Sequence, residues 1–233
     1  MVDVREKINF EKSMYPAQVK ENQFHLPRKL QQMIDGGESE YVDFKKEVTS
    51  VNKIAKTIVS FANHKGGRIL VGVNDNKTIY GINSEEEKHM LTHASESYCK
   101  PSLAIEIIEH PFRKKSILEA IIPNGENKPY FSKGEDEKWW VYIRVKDQSL
   151  LASKVMIDVL KREQKQQQTI IKYSTKEQAL LDYLGSHNLI TIKEYCRLLN
   201  ISRRRATIIL VNLISIGIIR VISTEKEDFY ALN

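Results

Sequence analysis

The stretch from Asn52 to Val73 is the part of the sequence that most constrains the fold. Residues 52–64 have the pattern of an amphipathic helix, which places apolar side chains on one stripe. Gly66-Gly67 ends this helix, and Arg68 to Val73 is a nearly continuous apolar run of the kind found in a strand buried on both faces. The apolar side of this helix consists of Ile54, Ala55, Ile58, Val59, Phe61 and Ala62. The polar side consists of Lys53, Lys56 and Ser60.

The neighbouring segments extend this unit into an α+β domain with a mixed sheet and flanking helices. A capping box of Ser84 and Glu87 predicts the start of one further helix. We expect an N-terminal arm over residues 1–25, the α+β domain over 26–160 and a Lys/Gln-rich linker at a helix end over 161–172. The other predicted helices are 26–34 and 153–166, and the other predicted strands are 41–45, 78–82, 103–109, 116–122 and 139–146.

The last sixty residues have a different order of elements. Helices are predicted from Thr175 to His187, from a cap at Thr191 to Leu199, and from Ser202 or Arg203 to about Ile216. Two strands follow, at 218–222 and 229–232. Helix, helix, turn, helix and hairpin is the order of a winged-helix domain, which we predict over residues 173–233.

The third of these helices begins with three arginines, Arg203, Arg204 and Arg205. In helix-turn-helix proteins the N-terminal residues of the recognition helix contact base edges and phosphates, and guanidinium groups suit guanine acceptors and phosphates. Cations at a helix N-terminus are mildly unfavourable for the helix itself, which favours a polyanion as their partner. A solvated helix end, or a winged helix that contacts protein, remains an alternative. The turn Thr224 to Asp228 is acidic, which disfavours a minor-groove contact there.

The formal net charge of +6 agrees with a polyanionic partner but is weak evidence for one. The two cysteines, Cys99 and Cys196, suggest a reducing compartment rather than a disulfide scaffold. No apolar run reaches the roughly 18 residues of a membrane span, and the N-terminus has no apolar region typical of a secretory signal. These features predict a cytoplasmic protein with no membrane partner.

Four segments resemble the Schlafen AlbA domain family, which is also called the divergent AAA or DNA-binding domain family. The resemblance covers about residues 26–153. A domain of this family followed by a C-terminal winged helix is similar to the arrangement in bacterial members interpreted as transcriptional regulators. The segments that carry it are Glu38 to Lys45, Ser60 to Asp75, Asn127 to Tyr130, and Val141 to Val145 followed by Ala152-Ser153.

The resemblance implies several functions. Bacterial members are described as DNA-binding or ATP-binding, and Schlafen proteins cleave transfer RNA with three acidic residues, whose positions here carry Glu38, Asp43 and Asp75. Asp43 stands where those nucleases carry Glu, so its carboxylate is set back by one bond. Such a cluster would bind Mg²⁺ or Mn²⁺. Glu38 and Asp43 differ in strand parity, so they converge only if Glu38 lies in the turn before the strand. The nucleases use two copies of this lobe, so a homodimer would be needed here.

Other residues admit a functional and a structural interpretation. Lys45, Lys53, Lys56 and Arg68 recur around the first strand and helix and could follow a phosphate backbone, or could be ordinary solvated side chains. Trp139-Trp140 and Tyr142 could stack on bases or belong to the core. Gly66-Gly67 lacks the rest of a Walker motif, and a helix-to-strand turn with positive φ explains it.

Together these features predict a DNA-binding transcriptional regulator that acts as a homodimer and needs no cofactor. Arg203, Arg204 and Arg205 are the expected DNA contacts, supported by Lys45, Lys53, Lys56 and Arg68. The alternatives are a metal-dependent ribonuclease that uses Glu38, Asp43 and Asp75 with Mg²⁺ or Mn²⁺, and an ATP-binding or protein-interaction module. RNA in place of DNA stays open as the partner.

Overall fold

The computed structural model describes residues 26–164 and 174–233. The predicted N-terminal arm, residues 1–25, and residues 165–172 of the predicted linker lie outside the described residues. Within the described ranges, no helix combines the length and the apolar character needed to cross a membrane.

A four-stranded mixed sheet forms the centre of the N-terminal part. Its spatial order is β1 (Val42–Lys45), β2 (Gly67–Val71), β5 (Lys115–Ile122) and β4 (Glu106–Phe112). β1 and β2 run parallel, and the other pairs are antiparallel. The prediction of an α+β fold with a mixed sheet is therefore confirmed.

Helices cover both faces of this sheet. One face holds α1 (Arg28–Gly36), which packs Leu30 and Ile34 onto the sheet. The other face holds α2 (Val51–Ala62) and α3 (Ser84–Ser97), which contact each other. β2 is buried from both sides, because Leu70 packs under α1 and its neighbours pack under α2 and α3.

Two predictions about the helices are wrong for local reasons. Ser60 was expected to face solvent but is fully buried, because a second layer of strands covers the outer side of α2. Its hydroxyl donates to the carbonyl of Thr57, and its oxygen lies 2.8 Å from the Ser149 hydroxyl. The capping box at Ser84 does not form, since the Glu87 carboxylate instead accepts from the backbone N–H of Val48 at 2.8 Å.

Short strands build the layer over α2. β3 (Cys99–Lys100), β6 (Phe131–Lys133) and β7 (Trp139–Trp140) form one antiparallel sheet, and β8 (Tyr142–Val145) pairs with β9 (Gln148–Leu151) as a hairpin. The predicted single strand over 139–146 is thus divided between two sheets. The division places Trp140 beside α2.

The remaining elements follow the order expected from the sequence. α4 (Lys154–Gln164) leads to α5 (Thr175–Ser186), β10 (Ile190–Thr191), α6 (Ile192–Leu199), α7 (Arg203–Ser215), β11 (Ile219–Ser223) and β12 (Asp228–Leu232). The strands form an antiparallel sheet in the order β10, β12, β11. Thr191 caps α6 in a capping box with Glu194, as predicted. Asn200, in the left-handed conformation, turns the chain between α6 and α7.

α4 joins the two parts of the chain. Val155 and Val159 belong to the same buried cluster as Leu210 and Tyr230 of the C-terminal elements, while Leu160 packs beneath the β8–β9 hairpin. α4 contacts α7 directly, and the Arg162 guanidinium donates to the Asn212 side chain. The division into domains at residue 160 stays a prediction, and α4 is the element at which the parts meet.

Candidate nucleic-acid interface

Glu38 lies within electrostatic reach of the other two acidic residues of the nuclease hypothesis, Asp43 and Asp75. Glu38 lies in the turn before β1, as its convergence required, and its Oε1 accepts from the backbone N–H of Phe44 at 2.8 Å. Burial raises the pKa of Glu38 above its ordinary value, the Phe44 N–H opposes this rise, and the carboxylates of Asp43 and Asp75 add to it. Asp75 itself is exposed in the turn after β2.

Asp43 is a buried ion-pair partner rather than an open ligand. Its Oδ1 accepts from Nη1 of Arg144 at 2.9 Å, and its Oδ2 pairs with the Lys45 ammonium. The guanidinium of Arg144 also donates to the carbonyl oxygen of Ser39 at 2.9 and 3.2 Å, and lies 4.6 Å from the centroid of the Phe61 ring. Arg144 therefore ties the β8–β9 hairpin to the segment that enters β1.

This arrangement does not fit a divalent ion. Both carboxylate oxygens of Asp43 are engaged by cations, and one oxygen of Glu38 is engaged by a backbone N–H. In the part of the chain that the structure describes, no group of three or more His, Cys, Asp or Glu residues is arranged to hold a metal. No catalytic step is assigned to Glu38, Asp43 or Asp75 here.

Asn63 connects the other family-like segments and was missed at the level of sequence. Its side-chain N–H groups donate to the carbonyl oxygens of Tyr130 and Tyr142, both at 2.9 Å. Its Oδ1 accepts from the backbone N–H of Tyr130 at 2.8 Å. Asn63 and Arg144 are both buried. The sequence signal was limited to Arg144, a lone charge in the run Val141 to Val145, because a charge buried in an apolar strand needs partners.

Gly66-Gly67 makes the helix-to-strand turn that the sequence predicted. Gly66 has φ +78°, and a Cβ there would lie 2.7 Å from the carbonyl oxygen of Ile122. A Cβ on Gly67 would lie 2.3 Å from the ring of Phe61. Close packing accounts for both glycines.

The four cations predicted around the first strand and helix do not form one surface. Lys45 is paired with Asp43. Arg68 donates its Nε–H to Glu119 at 2.7 Å and shares the α1 face of the sheet with Leu70, because side chains two apart in a strand point the same way. Lys53 and Lys56 lie on α2, on the other side of the sheet, where they line a cleft with aromatic residues.

The three arginines at the start of α7 are all exposed. Ser202 caps this helix by accepting from the backbone N–H of Arg205 at 3.3 Å. Among the described residues, none of the three guanidinium groups forms a salt bridge with a carboxylate. Lys193 and Arg197 of α6 line a cleft of about 260 Å³ together with Arg203. The exposed cations Lys193 and Arg197 of α6 and Arg203, Arg204 and Arg205 of α7 are together called the α6–α7 basic surface below.

The acidic turn between β11 and β12 is held against the rest of the chain. Asp228 accepts a hydrogen bond from the hydroxyl of Ser153 at the start of α4. Glu225 and Lys226 line a cleft with the turn between β8 and β9. This turn is therefore held beside the N-terminal part by the contact between Asp228 and Ser153.

Comparison with known proteins gives one family. The model of the family described as Schlafen, AlbA_2 matches residues 38–153. No curated protein matches the chain. One similar solved structure is that of the DIP2311 protein from Corynebacterium diphtheriae, with 18% sequence identity and a TM-score of 0.40. The similarity covers 54% of this chain and 24% of that one, so this chain spans about a quarter of the length of DIP2311.

Proposed function

We propose that this chain, which belongs through residues 38–153 to the Schlafen AlbA_2 family, is a DNA-binding transcriptional regulator. One observation carries the proposal. Arg203, Arg204 and Arg205 stand exposed and without carboxylate partners among the described residues, at the N-terminus of the helix that follows a tight turn.

The order of the C-terminal elements supports a winged-helix reading of residues 174–233. Helix, short strand, helix, turn, helix and hairpin follow one another, and β10 pairs with the hairpin strand β12. In such a domain α7 would be the recognition helix and would enter the major groove with its N-terminal residues. The arginines would then donate to guanine O6 and N7 or to phosphate oxygens.

The charge distribution supports the same assignment. Positive charge at a helix N-terminus opposes the helix dipole, so Arg203 to Arg205 do not serve the stability of α7. Lys193 and Arg197 add two cations from α6. A polyanion laid across the α6–α7 basic surface would offset this repulsion, and DNA phosphates supply that charge.

We further propose that the regulator acts as a symmetric homodimer, because two-fold symmetry in a protein matches paired half-sites on DNA. Light scattering on the free protein and on its DNA complex would measure the mass. A complex with two protein chains per duplex supports the dimer, and one chain per duplex contradicts it.

The test of function uses labelled duplex DNA selected from a random library, and transfer RNA with and without Mn²⁺. On native gels we expect a salt-sensitive shift of the duplex by the wild-type protein and loss of specific binding by Arg204→Ala. On denaturing gels we expect the RNA to stay intact with and without Mn²⁺. Arg28→Ala is a matched control, because Arg28 is also an exposed arginine in the first turn of a helix. Unchanged binding after replacement of all three arginines would refute the proposal. Mn²⁺-dependent RNA cleavage that disappears in Asp75→Ala would replace it with a ribonuclease.

A further inference from the structure

A second surface with the character of a nucleic-acid site lies on the outer side of α2. The cleft there has a volume of about 330 Å³, which is within the range of about 300–1,000 Å³ typical of ligand sites. Its walls come from α2, from the β6–β7 turn and from the start of β8. The residues on which the argument depends are Lys53, Lys56, Gly134, Asp136, Trp140 and Tyr142.

Trp140 is exposed but fixed in position. About a third of its surface, 36%, is accessible, although it is one of the largest apolar side chains. Its indole N–H donates to Oδ1 of Asp136 at 3.0 Å. A Cβ at Gly134 would lie 3.0 Å from Cδ1 of the indole, so the ring packs directly on the glycine backbone. A rigid, exposed aromatic face is the geometry on which a nucleobase stacks.

Lysines flank this aromatic face. Lys53 is exposed, and Nζ of Lys56 lies 5.0 Å from the centroid of the Tyr142 ring. The ring face of Tyr142 is thus already occupied by a cation, so a cationic ligand would meet repulsion. Asp136 is held by the Trp140 indole and the backbone N–H of Lys138. Glu135 adds an exposed carboxylate on the side of the β6–β7 turn, whereas Lys53 and Lys56 place positive charge on the α2 side. A ligand that combines a flat apolar ring with negative charge therefore fits with its charge toward α2.

We propose that this cleft binds a single-stranded segment of nucleic acid, with one base stacked on Trp140 and adjacent phosphates on Lys53 and Lys56. A base within a duplex cannot present its face to a side chain, so the ligand is a single strand or an unpaired nucleotide. The inference does not rest on the proposed function, because its residues lie on α2 and β7 rather than on α6 and α7.

The chain contains two tryptophans, Trp139 and Trp140, which makes fluorescence a direct probe. Successive side chains in a strand point to opposite faces, and Trp139 is outside the cleft with Nζ of Lys100 at 5.8 Å from its ring. Trp139→Phe leaves Trp140 as the only tryptophan, and Trp140→Phe leaves Trp139, so excitation selective for tryptophan reports on one position in each variant. The two variants have the same composition and serve as each other's control.

Titration with oligo(U) and with oligo(dT) is the experiment. We expect both to quench the emission of the Trp139→Phe protein and to leave the Trp140→Phe protein nearly unquenched. Replacement of Trp140 by Ala, which removes the stacking ring, should weaken affinity by roughly 5- to 150-fold relative to Trp139→Ala. A preference for one oligonucleotide assigns RNA or DNA as the source of the strand.

Salt dependence tests the phosphate contacts. Replacement of Lys53 and Lys56 by Ala should reduce the slope of log K against log salt by about 1.4, at about 0.7 per phosphate contact of a single strand. Lys29→Ala, an exposed lysine on α1, should leave the slope unchanged. Equal quenching of both tryptophan variants, no quenching at saturation, or an unchanged salt slope would each overturn the proposal.

The same variants separate this inference from duplex binding. Trp140→Phe should retain duplex affinity, and replacement of Arg203, Arg204 and Arg205 by Ala should retain oligonucleotide quenching. Loss of oligonucleotide quenching in the arginine variant would place the single strand on the α6–α7 basic surface and refute the cleft assignment.

Discussion

Replacement of Arg144 by Met is the sharpest test of how the family-like segments hold together. Arg144 is 4% exposed and donates to Asp43, to Ser39 and, at 3.3 Å, to the carbonyl oxygen of Val42. Met retains much of the aliphatic stem but no donor. The Asp43 carboxylate, 4% exposed, would keep only the Lys45 ammonium as its partner.

The expected loss follows from the cost of an unpaired buried charge. Removing one partner of a buried ion pair costs about 3–5 kcal/mol, and the remaining lysine favours the lower end, about 3 kcal/mol. For a chain of this length each kcal/mol shifts the midpoint of thermal unfolding by about 2–4 °C, so Arg144→Met should lower Tm by about 6–12 °C. Asp43→Asn added to Arg144→Met should recover part of this loss, because no buried charge then remains.

Thermal and urea unfolding measure the effect. Arg220→Met is the matched control, since Arg220 is an exposed arginine on β11, where surface changes are within about 0.5 kcal/mol. If Arg144→Met and Arg220→Met shift Tm equally, or if the double variant is less stable than Arg144→Met, the role given to this ion pair is wrong.

Two further predictions concern the polar contacts of Glu38 and of Asn63. Glu38→Gln keeps the acceptor for the Phe44 N–H and removes the charge, and because the folded pKa of Glu38 is raised, ionisation of the wild-type carboxyl costs stability. Its Tm should equal or exceed that of wild type at pH 7, and this advantage should fade as pH falls through the raised folded pKa and be absent below the unfolded value of about 4.3. A lower Tm than that of wild type at pH 7 contradicts the sign. Asn63→Ala leaves three backbone groups of Tyr130 and Tyr142 without their partner, which costs about 1–3 kcal/mol each. The urea midpoint of this variant should therefore fall sharply with an unchanged m value. A loss of stability below about 1 kcal/mol would argue against the role given to Asn63.

The elements with strong local signals could be predicted from the sequence. The helix before Gly66, the buried strand after it and the cap at Thr191 all carry their own periodicity or capping residue. The buried ion pair of Arg144 and Asp43 could not be predicted, because the two residues are distant in sequence and only the folded chain shows that they pair. The prediction of a solvent-facing Ser60 failed for the same reason, since the layer that covers it comes from residues some ninety positions away.

The candidate sites were likewise predictable where the signal is local and not where it depends on contacts between distant residues. The exposed arginines of α7 were visible as a run in sequence, and their position at a helix N-terminus follows from the Ser202 cap. Lys53 and Lys56 were grouped with Lys45 and Arg68 because all four are close along the chain, yet Lys45 is paired with Asp43 and Arg68 lies on the opposite face of the sheet. The contact of Lys56 with Tyr142 depends on the break between β7 and β8. The sequence pattern did not reveal this break, because it predicted one strand over residues 139–146.

The salt dependence of duplex binding tests the central claim most directly. Affinity for one selected duplex should be measured by fluorescence anisotropy at several salt concentrations, for wild type and for the variant with Ala at Arg203, Arg204 and Arg205. Each lost phosphate contact should reduce the slope of log K against log salt by about 0.9, and each lost guanine contact should reduce specificity at that base pair by about 1–3 kcal/mol. A reduced slope with loss of specificity is the predicted result, and a slope and specificity equal to those of wild type would contradict DNA recognition by α7.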